Sequence, residues 1–495
     1  MRLLSKSKLL AFRQCPKRLW LEIHQPDACE NSSATVATFA AGHQVGCIAR
    51  QIYDPQHKGA LIDPQAEGFD AAFARTQALL QTHQPIFEAG FRAQGALAFA
   101  DVLLPVRRNG WRMVEVKSST TVKDYHRDDA AVQSFLARAC GVKLQSIAIA
   151  HIDNQFIYPG HDDYQGLLVE EDLTEDAFAR ADEVRGWIAD AQALAARKTP
   201  PQITTGGQCR APYECGFHTH CSSQEPQAKH PIHWLPRPGK ALKEHAAEHA
   251  ITELRNVPDD LLNPTQQRVK AGTLSGKPHF DQRAAAQALA AHKLPAWFID
   301  FETIQFAVPQ WPGTRPYRQI PFQFSAHKLG RDGRTTHQAF LDLSGQNPSQ
   351  AFAKALIKAC GQRGPVFVYN AAFERTRISE LAEQYPALAP ALHAINERIV
   401  DLLPITREHY YHPSQQGSWS IKAVLPALCP DLSYDALDGV QDGGAAQQAY
   451  LEAIAPDTTA ARKTELERQL LAYCHLDTWA MVRLWSAFTR TPVTH

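Results

Sequence analysis

The chain has 495 residues with 51 basic and 51 acidic side chains, so its formal net charge is zero, and 44% of its residues are hydrophobic. That length and apolar content allow two or more cored domains, and the charge balance excludes a histone-like polybasic binder while leaving room for a local basic groove. No apolar run reaches the length of a membrane span, and the start "MRLLSKSKLLAFRQC" lacks the apolar core and cleavage site of a signal peptide, so a cytoplasmic protein is expected, in which the ten cysteines serve as thiols, packing residues or metal ligands rather than as a disulfide framework.

Residues 1–225 begin with a helix-like stretch that carries Cys15 in "CPKRLWLE", and His43 follows in "AGHQVG". Glu88, in "PIFEAGF", reads as an edge-strand acid or an additional metal ligand. Asp101, in the strand-like "GALAFADVLLPV", reads as opening a strand. After a turn at Asn109-Gly110, "GWRMVEVKSS" alternates so that Glu115 and Lys117 share one face. An ordinary same-face ion pair explains those two residues as well as a catalytic role does. "LQSIAIAHI" is a further strand, and "YHRDDAAVQSFLARAC" reads as a helix bearing Tyr125, Asp128 and Gln133. The module closes on "CRAPYECGFHTHC", where Cys209, Cys215 and Cys221 are each separated by five residues, with His218 and His220 between the last two. Three cysteines this close point to metal or cluster ligation. Cys29, Cys47, Cys140, Cys360, Cys429 and Cys474 show no ligand spacing and are read as packing residues.

A Pro-rich, basic stretch, "QAKHPIHWLPRPGKALKEH", opens a helical connector over 226–290. From 291 onwards strands alternate with helices: "AWFIDFE", "PFQFSAHKL", "THQAFLDL", then "PVFVYN" and the helix "AAFERTRISELAEQY". The mixture gives α/β architecture in both halves. Asp300 and Glu302 stand two apart in an apolar strand and so point to one face, where their mutual repulsion is costly unless a cation neutralises it; a solvated strand end is the other explanation. Glu374 falls in the first turn of its helix. Asp401, in "RIVDLLPITR", is a rival ligand or a structural acid before the next helix. "LLAYCHLDTWAMVRLW" is an apolar helix with Tyr473 and Asp477 four apart on one face.

Taken together, Asp300-x-Glu302, Asn370-x-x-Phe373-Glu374 and Tyr473-x-x-x-Asp477 resemble the three motifs of the DEDD exonuclease superfamily, tyrosine subtype, on a ribonuclease-H-like fold. The resemblance implies a two-metal 3′-5′ exonuclease. Asp300, Glu302, Glu374 and Asp477 would hold Mg²⁺ or Mn²⁺, and Tyr473 would position or help deprotonate the attacking water. Glu374 stands where the superfamily usually has Asp. Asp101, Glu115 and Lys117, followed by Gln133, resemble the PD-(D/E)XK core of RecB-like nucleases, which implies metal ligation by Asp101 and Glu115, with Glu88 as a further ligand, and catalytic roles for Lys117 and Gln133. His43 is displaced from the histidine position of that family, close to where Gly46 stands. Cys15 with Cys209, Cys215 and Cys221 resembles the iron–sulfur staple of CRISPR-associated and AddB-like members, although the spacing here is C-x5-C-x5-C rather than C-x2-C-x5-C. A [4Fe–4S] cluster is implied, with Zn²⁺ as the alternative. End to end, the chain is similar to bacterial proteins that fuse a RecB-like domain to the domain of unknown function 2779.

The expectation is therefore a RecB-like PD-(D/E)XK domain over 1–225, a helical connector over 226–290 and a ribonuclease-H-like DEDD domain over 291–495. The expected function is a divalent-metal-dependent nuclease with two sites, acting in repair or defence on DNA that is single-stranded or has ends, without a membrane partner. The alternatives are a nucleic-acid- or partner-binding protein with one or both sites inactive, and an RNA-directed exonuclease. "RPGKALKEH" and "WPGTRPYRQ" read either as solvated connectors or as walls of a strand channel.

Overall fold

A computed structural model describes residues 2–494, apart from the side chains at 33 and 34. The architecture is mixed α/β, with nineteen α-helices and three sheets among the described residues. The chain divides into two units: Met1–Pro226 with Phe306–Arg318, and Gln227–Gln305 with Gln319–His495.

The first unit is built on β1 (Leu4–Ser5), β2 (Ala60–Leu61), β3 (Ile86–Ala93), β4 (Ala96–Val106), β5 (Gly110–Lys117), β6 (Leu144–Ile152) and β7 (Leu168–Asp172). Their order is β2-β3-β4-β5-β6-β7, and β1 also pairs with β4. Strands β3, β4 and β5 are antiparallel, whereas β5 and β6 are parallel, a connection that needs a crossover. The helix Asp124–Ala139 supplies it. Met113, Ile147 and Ile149 bury one face of the sheet against Val132, Leu136 and Trp187. The other face carries a smaller core of Phe87, Val102, Val114 and Ala150.

Two local features bring charge into this frame. Ile86 and Ala89, three apart, both face the larger core, and so do Ala100 and Leu103. A regular strand repeats every two residues, so both strands break step, at Glu88 and Asp101. The β3–β4 ladder passes over both residues, and Glu88 takes a φ of 55°. In addition, β1 shares an edge of β4 with β5: Leu4 and Ser5 pair with Ala96 and Leu97, while β5 pairs with Val102 to Val106. Lys6, the next residue, is thereby delivered towards the end of β5.

The second unit contains β8 (His279–Phe280), β9 (Ala296–Ile304), β10 (Ile320–Leu329), β11 (Thr335–Leu341), β12 (Val366–Val368), β13 (Ile399–Asp401) and β14 (Tyr410–Tyr411). The main sheet runs β11-β10-β9-β12-β13, antiparallel from β11 to β9 and parallel from β9 to β13. Along β9, Trp297, Ile299 and Phe301 enter a core with Phe352, Leu356 and Ile378. Phe298 faces the other way, into a core with Trp485 and Phe488 from the helix Ala460–Thr489. Asp300 and Glu302 continue the Phe298 face.

Residues 226–290 do hold helices, at Lys240–Glu248, Pro264–Ser275 and Gln282–Leu289, but from Gln227 onwards the segment falls within the second unit. The reason is apolar burial, because Leu242, Leu254, Val269 and Leu289 share the core of Phe298 and Trp485. "WPGTRPYRQ" falls, up to Arg318, in the first unit, where Trp311 is buried and Tyr317 Oη donates to the Ser118 carbonyl. Arg315 of the same stretch is exposed and Arg318 is half-buried.

Phe298 is fully buried and stacks on Phe367 with ring centroids 5.0 Å apart. Phe298→Ala is expected to destabilise the second unit by about 3–5 kcal/mol, read as a lower denaturant midpoint.

Candidate functional site

In the second unit, Asp300, Glu302 and Asp477 each offer a carboxylate oxygen, and these oxygens all lie within 4.8 Å of one another. β9 presents the first two, and the helix Ala460–Thr489 brings the third across the sheet face. Glu302 and Asp477 are 8% and 6% exposed, so water screens them poorly. At an effective dielectric of about 20, each ionised pair at this separation repels by roughly 3.5 kcal/mol. Three such pairs rival the whole stability of a typical domain, about 5–15 kcal/mol. Protons or a cation must relieve that repulsion.

The proton affinities follow. Burial, then repulsion from Asp477 and Glu302, pushes Asp300 well above the ordinary carboxyl range. Burial and Asp477 push Glu302 up to about 8, and burial lifts Asp477 to about 6 against the pull of Tyr434 and Lys422. Glu374 is 2% exposed in the first turn of the helix Ala372–Gln384. Burial raises it to about 8, and its charge in turn raises Asp300. Tyr473 is buried one helical turn before Asp477, its phenol raised by burial and by Asp477, Glu302 and Asp300. Asp300, Glu302, Asp477 and Tyr473 thus gather, whereas Glu374 stands outside the group of converging oxygens and reaches Asp300 only through its charge.

Two residues here, Tyr434 and Lys422, carried no readable sequence signal. Tyr434 Oη donates to Asp477 Oδ1 at 2.6 Å, which orients that carboxylate. Lys422 lies over the Tyr434 and Tyr473 rings, 5.1 and 5.0 Å from their centroids. Cys474, read as packing, is indeed buried, with its Sγ 3.7 Å from the Asp300 carbonyl oxygen. Asp401 is the structural acid. Its Oδ1 accepts from the amides of Asn370 and Leu403, and its Oδ2 from that of Ala371. It caps the following helix and holds Asn370 at a φ of 79°, a conformation asparagine tolerates well, at the turn that leads to Glu374. Nearby, a cavity of about 770 Å³ is lined by Arg237, Tyr369, Asn370, Arg407 and Trp419 among others, so Arg237 of "RPGKALKEH" does face a concavity.

In the first unit the pairing of Val102 with Val114 sets Asp101 across from Glu115. Asp101 accepts the Val116 amide at 2.7 Å and lies in mid-strand rather than at a strand opening. Glu115 is 1% exposed and takes a hydrogen bond from Gln133 Nε2. Lys117 Nζ donates to Glu115 at 2.8 Å and to Asp129 at 2.5 Å, while Lys6 Nζ reaches the same two acids at 2.6 and 3.0 Å. Asp129 and Lys6 were not anticipated. Asp129 precedes Gln133 by one helical turn, and that spacing was the available clue; Lys6 arrives through the β1–β4 pairing. Burial, with Asp101 and Asp129 adding repulsion, raises Glu115 to about 7. Burial resists charging Lys6 and Lys117, but Asp129 and Glu115 hold both above the ordinary lysine range. Glu88 is raised by burial and by Glu115, so it belongs to the same cluster. Asp128 does not, being tied to Arg13 and Arg180 at 3.1 and 2.5 Å. His43 is exposed, its contact being Cys47 one turn on at 3.8 Å.

Cys15, Cys209, Cys215 and Cys221 line one small cavity with Arg18 and His218. Gln14 Nε2 ties the N-terminal helix to this loop by donating to the carbonyls of Gln208 and Tyr213, both at 2.8 Å. The four thiols share this cavity without three of their sulfurs forming a group within 4.8 Å among the described residues, and burial with Cys209 and Cys15 as neighbours raises the Cys215 thiol. His220 instead meets Gln224 at 2.9 Å. Cys29, read as a packing residue, is exposed, and Cys47 and Cys140 are half-buried, whereas Cys360 and Cys429 are buried as expected.

The raised carboxyls give a signed prediction. A folded chain that holds extra protons loses stability as pH rises from the unfolded to the folded pKa. For Glu302 that window runs from 4.5 to about 8. In chelator, the unfolding temperature of the second unit is expected to fall across this window. The fall should be smaller in Asp300→Asn, and Mn²⁺ should raise the wild-type value more at the top of the window than at the bottom.

Residues 297–420 match the family model described as Domain of unknown function (DUF2779). That span holds Asp300, Glu302 and Glu374 and ends before Tyr473 and Asp477. No curated protein matches the sequence. A solved protein described as SSO0001 is similar at 13% identity with a TM-score of 0.24, over 46% of this chain and 88% of its own.

Proposed function

We propose that the chain is a divalent-metal-dependent nuclease whose principal site is the Asp300, Glu302, Asp477 cluster with Tyr473 beside it. The observation that carries the reading is the convergence of those three buried carboxylates within 4.8 Å, an oxygen-only donor set suited to Mg²⁺ or Mn²⁺. When bound, such ions stabilise the attacking and leaving oxygens of a phosphodiester. Glu374 acts on Asp300 through its charge, Tyr434 fixes Asp477, and Tyr473 stands where a phenol can orient a water. The acidic pair on the central strand of a mixed sheet fits the resemblance to ribonuclease-H-like DEDD exonucleases. The arginine- and tryptophan-lined cavity next to Asn370 suits a nucleic-acid strand.

The first unit supports a second nuclease site of the PD-(D/E)XK kind through Asp101, Glu115, Lys117 and Gln133. There a metal held by Asp101 and Glu115 has to compete with the Lys6 ammonium for Glu115. The four cysteines would hold a [4Fe–4S] cluster, with zinc as the alternative, and would pin the N-terminal helix to the end of the module.

The test uses full-length protein purified without oxygen, with end-labelled single-stranded DNA and RNA in Mn²⁺ or Mg²⁺. Laddering from the 3′ end is expected, slowed by at least about a hundredfold in Asp300→Asn, the scale on which loss of one charge-stabilising group acts. Loss in Glu115→Gln alone would move the chemistry to the first unit. No cleavage of either polymer by folded protein would leave a binding protein as the reading. In Cys209→Ser, the visible absorption and iron of a cluster are expected to disappear; a colourless wild-type protein containing zinc would replace the cluster by an ion.

A further inference from the structure

Three histidines meet in the second unit apart from its carboxylates. His327 on β10, His337 opposite it on β11 and His475 on the helix Ala460–Thr489 each offer a ring nitrogen, and these nitrogens all lie within 4.8 Å of one another. The ring centroids are 4.6, 4.7 and 4.5 Å apart. Hydroxyls orient the rings: His327 Nδ1 is 2.8 Å from Thr478 Oγ1, and His337 Nε2 is 2.9 Å from Ser325 Oγ. The two hydroxyls are themselves 2.6 Å apart. An imidazole has a second ring nitrogen, and metal-ligating histidines are held in this manner by a hydrogen bond at the other one. His327 is fully buried, His337 is exposed and His475 lies between, so the cluster is rooted in the core and opens to solvent on one side.

Packing is a weak account of the arrangement. Aromatic pairs contribute about 0.5–1.5 kcal/mol each beyond burial, and any apolar ring would supply that without three polar nitrogens converging. We propose that His327, His337 and His475 bind a borderline transition-metal ion, Zn²⁺ foremost, with a solvent-facing fourth position. Three imidazoles match the donor count of an open tetrahedral zinc site, and imidazole favours zinc, copper, iron or nickel, whereas the carboxylate cluster favours magnesium or manganese. The ion would fasten the β10–β11 hairpin to the helix that carries Tyr473 and Asp477, with His475 two residues before Asp477. This assignment does not depend on the nuclease reading.

The test is calorimetric titration of chelator-treated, full-length protein with Zn²⁺ in excess Mg²⁺, which occupies the carboxylates. Wild type, His337→Ala, Ser325→Ala and Asp300→Asn are compared, and any zinc taken up by the thiols is common to all four. His337 is exposed on an outer strand, so its truncation leaves the core intact, which circular dichroism verifies. Wild type and Asp300→Asn are expected to take one equivalent that His337→Ala lacks. Ser325→Ala should bind it roughly 10–100-fold more weakly, the range for loss of an orienting partner. Zn²⁺ should raise the unfolding temperature of wild type and not of His337→Ala. Equal stoichiometry and affinity in wild type and His337→Ala would overturn the proposal.

Discussion

Buried charge gathered on one face of a strand is the constraint on which both units turn. A strand repeats every two residues, so Glu115 and Lys117, and likewise Asp300 and Glu302, are forced to share surroundings. The two units resolve the electrostatics differently. In the first, Lys6 and Lys117 bridge Glu115 and Asp129, so the chain's own ammonium groups offset part of the buried acid charge, while burial still raises Glu115. Breaking such a network by removing one partner costs about 3–5 kcal/mol, and the paired lysines hold Asp129 ionised, well below the usual carboxyl range. In the second, Lys422 gives its ammonium to the Gln441 carbonyl at 2.6 Å. The carboxyls there rise towards neutrality and keep their oxygens turned to one another.

A single helix organises the second unit. Ala460–Thr489 runs for 30 residues, anchored by Trp485 and Phe488 in the core that also holds Phe298. That anchoring sets the rotation of the whole helix, and its 3.6-residue period then distributes the polar groups. Tyr473 and Asp477 fall on the side of Asp300 and Glu302, Thr478 meets Ser325 and His327, and His475 joins the histidine cluster. A sharp change in the apolar contacts of Trp485 would therefore turn both polar clusters at once, because cores transmit displacement rather than absorb it.

Several acids looked alike along the chain and separated only in three dimensions. Asp401 and Glu374 both follow strand-like runs, yet three backbone amides consume the carboxylate of Asp401 while Glu374 is buried and acts on Asp300 through its charge. Asp128 and Asp129 are neighbours on one helix, but a step of one residue rotates a helical side chain by about 100°. One therefore pairs with Arg13 and Arg180, and the other with the two lysines. The residues 226–290 look like a polar bridge in composition, but their few leucines and valines are spaced to enter the second core.

The sequence by itself determined what depends on short periods and local chemistry. It marked β4, β5, β6, β9 and β10, the helices at 124–139 and 372–384, the same-face acid pairs, the Tyr473 and Asp477 spacing, and the clustered cysteines. Each of these rests on interactions within a few residues, where alternation and helical pitch are decisive. The tertiary structure alone decided which acids converge and which cap a turn, that Lys6 and Asp129 close the first cluster, that Tyr434 and Lys422 border the second, and that three histidines from β10, β11 and the last helix meet. Those facts depend on strand register and helix rotation across hundreds of residues, which are set by the burial of apolar faces and leave no local signature in the chain.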